Sequence, residues 1–413
     1  MRALWITPRD GFFCKDGRGW YTSASNRAHA LDWPMPTTLR GALRGAFGRQ
    51  QEARLGQPLT SGQWDDTDVV HLGANLPVRA AVGASPTAAD RLWPTPADAW
   101  YGREALVERI EPIGAAGATH GIKEGTTSAI GTTSGITIGR STHAEHGTAR
   151  RDPIAEAMAR PNLPRHKPGP RPRWWTEGEF CAWLDGQPIG AGEVDDRKRQ
   201  TPAERRDVRV AIDRESSSAA ESQLFSSVVR EAIDQDGQRW SIAVRATWPE
   251  ALPDVIPMML GGDRRLARLA PIDDAVFASP KLSTGDSPGL RVFVITPAEF
   301  KRGWLPDGFK LENGRVHGKL DPVGEVVLRA AFVGRPLSIS GWDLEKRAPK
   351  QIRRLVPPGA VYFFTRPDGR PFTAAERLAL WWQGLGKNQE DGQGQIVAGP
   401  WMMADVQNAK TER

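Results

Sequence analysis

The order of strand-like and helix-like segments repeats along this chain of 413 residues, and the repetition constrains the fold more than any other feature. Strand-like segments are short apolar or alternating runs, and helix-like segments carry apolar residues every three or four positions. In the first series, strands are predicted at residues 2–7, 180–184, 208–212, 240–248 and about 266–272, with helices beginning near residue 36 and, weakened by two prolines, at 251–260.

A second series begins after a stretch rich in Ser, Pro and Gly at residues 279–289. Its predicted segments are a strand at 291–295, a short helix at 297–304, strands at 326–333 and 360–364, a helix, and a last strand at 396–401. The second of these helices has the clearest signature, because Thr373 and Glu376 form a capping box at its start. Its predicted apolar face consists of Leu378, Trp381, Trp382 and Leu385.

Both series follow the order strand, helix, strand, strand, helix, strand, with a glycine-containing turn before the last strand. This is the order of a ferredoxin-like domain. The sequence therefore predicts an α+β fold with two ferredoxin-like (RRM-like) domains in tandem, at residues 1–280 and 281–413. A long, partly flexible insertion is expected in the first domain, at about residues 49–175.

Two parts of this insertion have a biased composition. Residues 113–150 are rich in Gly and Thr, and residues 150–173 mix arginines with prolines. Such sequence buries little apolar surface, so we expect it to be mobile until something binds it. It is either a disordered loop or an arm that becomes ordered on RNA or on a neighbouring protein.

The charge balance favours an anionic partner. Lys and Arg number 55 and Asp and Glu 49, which gives a net charge of +6, and the isoelectric point is near 9.5. The excess is modest, so it favours nucleic acid without establishing it. The two cysteines, Cys14 and Cys181, support neither a disulfide framework nor a thiolate metal site, and a reducing cytoplasm fits them best. We expect no signal peptide and no membrane span, because every apolar run is short.

The helix near residue 36 presents three faces. Its apolar stripe consists of Leu39, Leu43 and Phe47. Arg40 and Arg44 share a second face, and Gly41 and Gly45 share a third. A glycine inside a helix costs about 1 kcal/mol relative to alanine, so the pair suggests that another backbone approaches closely. The approaching group is either RNA or the protein's own sheet.

Further candidate contacts follow glycine-rich or aromatic positions. Arg264 and Arg265 follow a Gly-Gly turn. A cluster after Trp342 consists of Lys346, Arg347, Lys350, Arg353 and Arg354. Unpaired bases stack on flat side chains and phosphates attract cations, so this cluster is either an RNA contact or a solvated basic loop. Gly392 and Gly394 would let backbone amides approach a phosphate, although they form no nucleotide-binding loop.

Five collinear segments resemble a known family. They are PRDGFF at residues 8–13, WPMPTTLRGALR at 33–44, GGDRR at 261–265, SGWD at 340–343 and VPPGAVYFF at 356–364. In this order they resemble the third subunit of the Cmr complex, a type III-B CRISPR effector, within the RAMP superfamily.

This resemblance implies two ferredoxin-like domains and a glycine-rich loop. It also implies a non-catalytic subunit in antiviral defence that binds the guide RNA (crRNA) by its repeat-derived 5′ tag, beside the large polymerase-like Cmr subunit and neighbouring RAMP backbone subunits. We expect no cofactor, no metal and no membrane partner. The candidate RNA-binding residues are Arg40, Arg44, Arg264, Arg265, Trp342, Lys346, Lys350, Arg353, Gly392 and Gly394.

Two alternatives stay open. Some RAMP proteins are metal-independent endoribonucleases that process repeat RNA, and this chemistry needs a proton donor and acceptor beside one phosphodiester. His29 is the best candidate for such a role, whereas His143 and His146 lack the spacing of a metal site. The other alternative is a purely structural scaffold subunit whose basic surface is incidental.

Overall fold

The structure is a computed structural model and describes residues 1–16, 27–28, 30–102, 107–113, 136–138, 153–169, 171–189, 201–343 and 348–402. The helices in these ranges are α1 (Pro36–Leu55), α2 (Ser61–Asp65), α3 (Pro153–Glu156), α4 (Glu177–Leu184) and α5 (Ala374–Ala379). None of the helices described is both long enough and apolar enough to cross a membrane.

Strands dominate the described chain. Those before residue 250 are β1 (Arg2–Pro8), β2 (Gly11–Phe12), β3 (Arg27–Ala28), β4 (Leu72–Ala81), β5 (Leu92–Pro94), β6 (Ala99–Tyr101), β7 (Val107–Arg109), β8 (Pro112–Ile113), β9 (Ile136–Ile138), β10 (Arg160–Pro161), β11 (Trp174–Thr176), β12 (Glu204–Ile212), β13 (Ala219–Glu231) and β14 (Gln238–Ala246). Those after it are β15 (Ile256–Met259), β16 (Leu266–Pro271), β17 (Gly289–Val294), β18 (Lys310–Glu312), β19 (Arg315–Leu320), β20 (Gly324–Gly334), β21 (Leu337–Ile339), β22 (Trp342–Asp343), β23 (Ala348–Pro349), β24 (Arg353–Leu355), β25 (Val361–Thr365) and β26 (Ile396–Trp401).

The first sheet contains five antiparallel strands in the order β15-β16-β1-β14-β4. Alternate residues of a strand point to opposite faces, so Leu4 and Ile6 of β1 lie on one face. There they pack against Leu39 and Leu43 of α1 in a single buried cluster. Each fully buried leucine contributes about 1.5–3 kcal/mol to folding, so the apolar stripe of α1 holds the helix on this face.

The second sheet has the order β18-β19-β20-β25-β17-β26, with β9 also paired to β20. Both of its faces are covered, which explains why β17 and β25 are almost continuously apolar. Val292 and Phe364 belong to the cluster on one face. Phe293 and Phe363 lie on the other, in a cluster that includes Trp93 and Trp183 from the first half of the chain.

The two halves of the chain therefore share a core. Arg291 of β17 is 1% exposed and donates hydrogen bonds to the carbonyls of Trp183, Leu184 and Pro400. Its guanidinium lies 3.4 Å from Asp98. Burial lowers the pKa of Arg291 to about 10, and burial raises the pKa of Asp98 while the charge of Arg291 opposes that rise. These contacts join the two predicted domains. The boundary between residues 280 and 281 itself stays a prediction.

Several predicted strands are found where the alternation placed them, at β1, β12, β14, β16, β17, β20, β25 and β26. The strand predicted at residues 180–184 is wrong, because this segment is the end of α4. A capping box formed by Thr176 and Glu179 starts that helix, and Phe180, Trp183 and Leu184 bury one helical face. The apolar run had been too short to distinguish the two periods.

Two predicted helices are absent from the described chain. Residues 256–259 of the first form β15, which pairs with β16. At residues 297–304 no helix forms, because the Ala298 backbone instead exchanges hydrogen bonds with Val356 and Gly303 adopts a positive φ of 70°.

The final helix, α5, has the predicted capping box but ends at Ala379. The predicted apolar face is correct for Trp381, which is 5% exposed, and wrong for Leu378, which is 43% exposed. The chain leaves the helix because Trp382 adopts a positive φ of 66° and its amide donates to the carbonyl of Ile396 in β26.

The expected insertion at residues 49–175 is not one excursion from the fold. Helix α1 continues to Leu55, and β4 pairs with β14 inside the first sheet. A segment around Trp93 and Trp100 packs on the second sheet. Most of the Gly/Thr-rich stretch lies outside the described residues, apart from β9, which pairs with β20. The tryptophans of these segments bury a large apolar surface, which the turn-rich composition did not lead us to expect.

Candidate nucleic-acid interface

The N-terminus of helix α1 has neither a side-chain cap nor an acidic residue beside it. Met35 occupies the N-cap position without a side-chain hydrogen bond, Pro36 follows it, and the first turn holds no acidic residue. A helix N-terminus carries a partial positive charge and exposed N–H groups, which attract anions.

The glycine face of α1 is open. A Cβ built at Gly41 or at Gly45 would meet no atom within 4 Å. No backbone of the described chain therefore packs there, so the interpretation of this pair as a contact with the protein's own sheet is wrong. Approach by an RNA backbone stays a prediction.

Arg40 is bound on all sides by its own protein. Its side chain is 12% exposed, and its Nη1 donates to Asp391 at 2.6 Å. Its Nε donates to the Val70 carbonyl at 2.8 Å, and its Nη2 donates to the carbonyl and carboxylate of Asp68. Arg40 thus ties α1 to the loop before β26, and RNA would have to compete with two carboxylates.

Arg44 lies one turn further along α1. It is 3.1 Å from the same Asp68 carboxylate, and its Nε donates to Thr67 Oγ1 at 3.1 Å. Its side chain is 33% exposed, so it is more accessible than Arg40 but still paired.

The Gly261 turn separates its two arginines. Arg265 forms an ion pair with Asp207 of β12, whereas Arg264 is exposed and forms no ion pair or side-chain hydrogen bond with the residues described. Arg264 has a positive φ of 53°, and the neighbouring amide of Gly262 donates to the carbonyl of Phe13 at 2.7 Å. The glycines therefore allow this turn to pack closely against the backbone at Phe13.

The described residues of the predicted basic cluster, Lys350, Arg353 and Arg354, lie on a hairpin in which β21 pairs with β24 and β22 pairs with β23. Lys350 is exposed and forms no ion pair with any residue in the described ranges. Arg353 is 2.9 Å from Glu299. Trp342 begins β22, but its side chain lies outside the described residues, and so does the whole of Lys346.

Arg354 was in the cluster but not among the candidates, and the structure makes it as accessible as Lys350. It is exposed, and no described residue forms an ion pair or a side-chain hydrogen bond with it. Residues in a strand alternate between faces, so β24 turns Arg353 toward Glu299 and Arg354 away from it. Recognition of β24 as a strand would have supplied that signal.

Gly392 and Gly394 serve internal contacts. Gly392 has a positive φ of 76°, and its carbonyl accepts hydrogen bonds from Asn75 and Thr296. The amide of Gly394 donates to the Pro297 carbonyl at 2.9 Å. The close approach that these glycines permit is to β4 and to the protein's own backbone, so their amides already have acceptors.

Three of these regions are contiguous. Met35, Ile339 and Leu355 form one buried cluster, which places the hairpin against the start of α1. Glu299 accepts hydrogen bonds from both Arg353 and Asn388 and so joins the hairpin to the glycine loop. We call the start of α1 with Lys350 and Arg354 the hairpin surface. The Arg264 turn adjoins the β12–β13 ribbon instead, through the ion pair of Arg265.

The described histidines offer no obvious nuclease arrangement. His71 precedes β4, His166 lies between β10 and β11, and His317 lies in β19. His166 is hydrogen-bonded to Glu108, which raises the pKa of His166 above its usual value. The candidates His29, His143 and His146 lie outside the described residues. In the described ranges, no group of three or more His, Cys, Asp or Glu residues could hold a metal ion.

Solved structures similar to this chain come from CRISPR effector complexes. A chain of the type III-B Cmr-beta complex bound to cognate target RNA and AMPPnP matches with a TM-score of 0.40 and 11% identity, over 87% of this chain and 86% of that chain. A chain of the Csm3-Csm4 subcomplex of the type III-A interference complex matches with a TM-score of 0.32 and 8% identity, over 90% of this chain and 98% of that chain. No curated protein sequence matches the chain significantly.

The family comparison covers nearly the whole sequence. The model for "CRISPR-associated protein (Cas_Cmr3)" matches residues 4–401. This match includes all five of the segments that suggested the third Cmr subunit. The chain therefore belongs to the Cas_Cmr3 family of CRISPR-associated proteins and is a subunit of the Cmr type.

Proposed function

We propose that this chain is the non-catalytic subunit that holds the repeat-derived 5′ tag of the guide RNA in a type III-B Cmr effector, in antiviral defence. The observation that carries the proposal is the hairpin surface. Lys350 and Arg354 are exposed and form no ion pair with any residue that the structure describes, and they lie on the hairpin that packs against the start of α1.

The chemistry of this surface suits a single-stranded tag. Phosphates are held by cations, and Lys350 and Arg354 supply two exposed cations here. Gly41 and Gly45 lie on the same helix, and a Cβ built at either position meets no described atom within 4 Å, so there is room beside the helix for a backbone to approach. A single-stranded tag can use this space, because its backbone is not held in a helix by base pairing.

The proposed fold is two ferredoxin-like halves, and the strand order supports it. Each half contributes four strands in the order fourth, first, third, second: β16-β1-β14-β4 in the first sheet and β26-β17-β25-β20 in the second. Each half lacks one helix of the ferredoxin-like pattern among the residues described. In the first, β15 replaces the second helix, and in the second, the segment after β17 takes the place of the first helix.

Docking on the large polymerase-like subunit and on neighbouring RAMP subunits, in the cytoplasm, is part of the same proposal. The long β12–β13 ribbon supports a docking role, because it exposes Val208, Ile212 and Leu224 at 57%, 58% and 59%. Exposed apolar patches of this kind often mark protein contacts. The rival scaffold function would use this ribbon alone.

In-cell ultraviolet crosslinking followed by RNA sequencing tests the proposal in the intact complex. We expect crosslinks at the 5′ tag of guide RNAs, and we expect the variant Lys350→Glu/Arg354→Glu to lose most of them. The matched control is Lys310→Glu/Arg315→Glu, which reverses two exposed, unpaired charges on β18 and β19.

Two results would contradict the proposal. Absence of guide crosslinks while other subunits crosslink normally leaves the scaffold function. Cleavage of repeat RNA by the purified chain without divalent ions indicates an endoribonuclease.

A further inference from the structure

The outer face of the first sheet, the side away from α1, carries an unpaired group of arginines. Strand alternation places Trp5, Thr7, Arg239 and Arg268 on this side, because Leu4, Ile6, Ile242 and Leu269 face α1. Thr7 and Arg268 are direct neighbours across β1 and β16. The amide of Arg9 donates to the Leu266 carbonyl at 2.9 Å, which continues this pairing and brings Arg9 beside the group.

Within the part of the chain that the structure describes, these arginines have no carboxylate partner. Arg9 and Arg268 are exposed and form no ion pair or side-chain hydrogen bond, and Arg239 donates only to the Pro8 carbonyl, at 2.8 Å. No Asp or Glu occupies an outward-facing position of β15, β16, β1, β14 or β4, all of which the structure describes. Burial and the nearby charge of Arg268 lower the pKa of Arg239, so the positive charges are close enough to repel one another.

An indole borders the group. Trp5 is partly exposed, and its Nε1 donates to Ser241 Oγ at 2.7 Å, which fixes the orientation of the ring. Exposed Leu266 and Met259 extend the apolar surface on the neighbouring strands. A fixed, partly exposed ring is a platform on which an unpaired base can stack.

The second half of the protein covers part of the outer face and leaves this part open. Ala3, Val78 and Ala243 are buried there beneath Phe277 and Trp382. Arg245, also on the outer face, is neutralised by Asp274 at 2.9 Å. The contrast is informative, because the covered end has its arginine paired whereas the open end does not.

We propose that the open part of this face, formed by Trp5, Arg9, Arg239 and Arg268, is a second binding site for single-stranded RNA. The three strands β14, β1 and β16 span about 10 Å at this point, so the arginines bracket a stretch of backbone while the indole accepts a base. The site lies on the opposite side of the sheet from α1, so it binds a different stretch of RNA from the hairpin surface. It goes beyond the tag function proposed above and does not depend on it.

The test measures binding of the full chain to a fluorescein-labelled oligouridylate of about 12 nucleotides, by anisotropy, at several salt concentrations. Three double variants are compared: Arg9→Glu/Arg268→Glu at this site, Lys350→Glu/Arg354→Glu at the hairpin surface, and the Lys310→Glu/Arg315→Glu control. All three reverse two exposed charges, so their effects on net charge are equal. Unchanged thermal midpoints establish that each variant is folded.

We expect Arg9→Glu/Arg268→Glu to weaken binding about tenfold and to reduce the slope of log K against log salt by about 1.4, the value for two phosphate contacts to a single strand. We also expect photocrosslinking with 5-iodouridine to label the peptide that contains Trp5. The control should change affinity less than about twofold.

Affinity and slope equal to those of the control would overturn this site. If only the Lys350→Glu/Arg354→Glu variant loses binding, the second site is absent and the hairpin surface stands; if only Arg9→Glu/Arg268→Glu loses it, the reverse holds. If Arg9→Glu/Arg268→Glu keeps its RNA affinity but no longer assembles with purified Cmr subunits, the face docks protein and the proposal is wrong.

Discussion

Arg40 and Arg354 both lie in basic segments of the sequence, but the structure gives them opposite environments. Arg40 is held by Asp68, Asp391 and a backbone carbonyl, whereas Arg354 is exposed and forms no ion pair. An arginine that is already paired and partly buried stabilises the fold, and an exposed unpaired arginine adds little to it. A basic motif therefore does not by itself mark a free positive charge.

The same contrast divides the glycines. A Cβ at Gly41 would meet nothing within 4 Å, whereas a Cβ at Gly392 would lie 2.8 Å from atoms of Leu72, Gly73 and Asn75. Gly392 is needed for packing between the halves of the chain. Gly41 has no such internal function, and this difference is open to experiment.

The largest effect is expected from Arg40→Ala. Removing the guanidinium leaves Asp391 without its arginine, deprives Asp68 of one of its two arginines and breaks the link between α1 and the final loop, so we expect a loss of about 3 kcal/mol in the free energy of unfolding. Urea denaturation of the full chain measures it. Arg49→Ala, an exposed and unpaired position on the same helix, is the control and should change stability by less than about 0.5 kcal/mol. Equal losses of stability in the two variants would show that the ion pairs of Arg40 do not stabilise the fold.

Gly392→Ala should be the next most disruptive. Its positive φ of 76° strains an alanine, and the methyl group would press on Asn75, so we expect a loss of about 2 kcal/mol in unfolding free energy. Gly369→Ala is a matched control, since Gly369 has the same φ of 76° but open space around its Cβ position. Only the excess over this control measures the packing contribution. An equal loss in both variants would show that backbone strain alone is responsible.

The Lys350→Glu/Arg354→Glu variant should leave stability unchanged and weaken RNA binding about tenfold, because both charges are free to meet phosphates. Binding to guide RNA in rising salt measures this, and the loss should shrink as salt screens the contacts. A clear fall in the unfolding midpoint would instead place these side chains in the folded core.

The smallest effect is expected from Gly41→Ala. The space around it is open and alanine has the higher helix propensity, so the substitution should stabilise the fold by about 0.5–1 kcal/mol. Thermal unfolding of the full chain measures the gain. A loss of stability would mean that the glycine face is covered. A bulkier Gly41→Leu should retain stability and weaken RNA binding if a backbone passes along α1.

Much of the local structure could be predicted. β1 and β14 form where a short apolar run and an alternating run predicted them, and the capping box at Thr373 starts α5 as expected. The errors occurred where tertiary contacts overrode a local pattern. Residues 256–259 pair with β16 rather than coil into a helix, and Trp382 leaves the helical conformation to bond Ile396.

The sequence by itself determined the family, the positions of most core strands and the list of basic residues, because motifs, alternation and charge are local properties of the chain. Only the tertiary structure decided which charges are free, since Asp68 is 28 residues from Arg40 and Asp391 is 351 residues away. It also brought Arg9, Arg239 and Arg268 onto one face, from strands far apart in the sequence. Charge neutralisation depends on distance in space, and a linear pattern does not contain that distance.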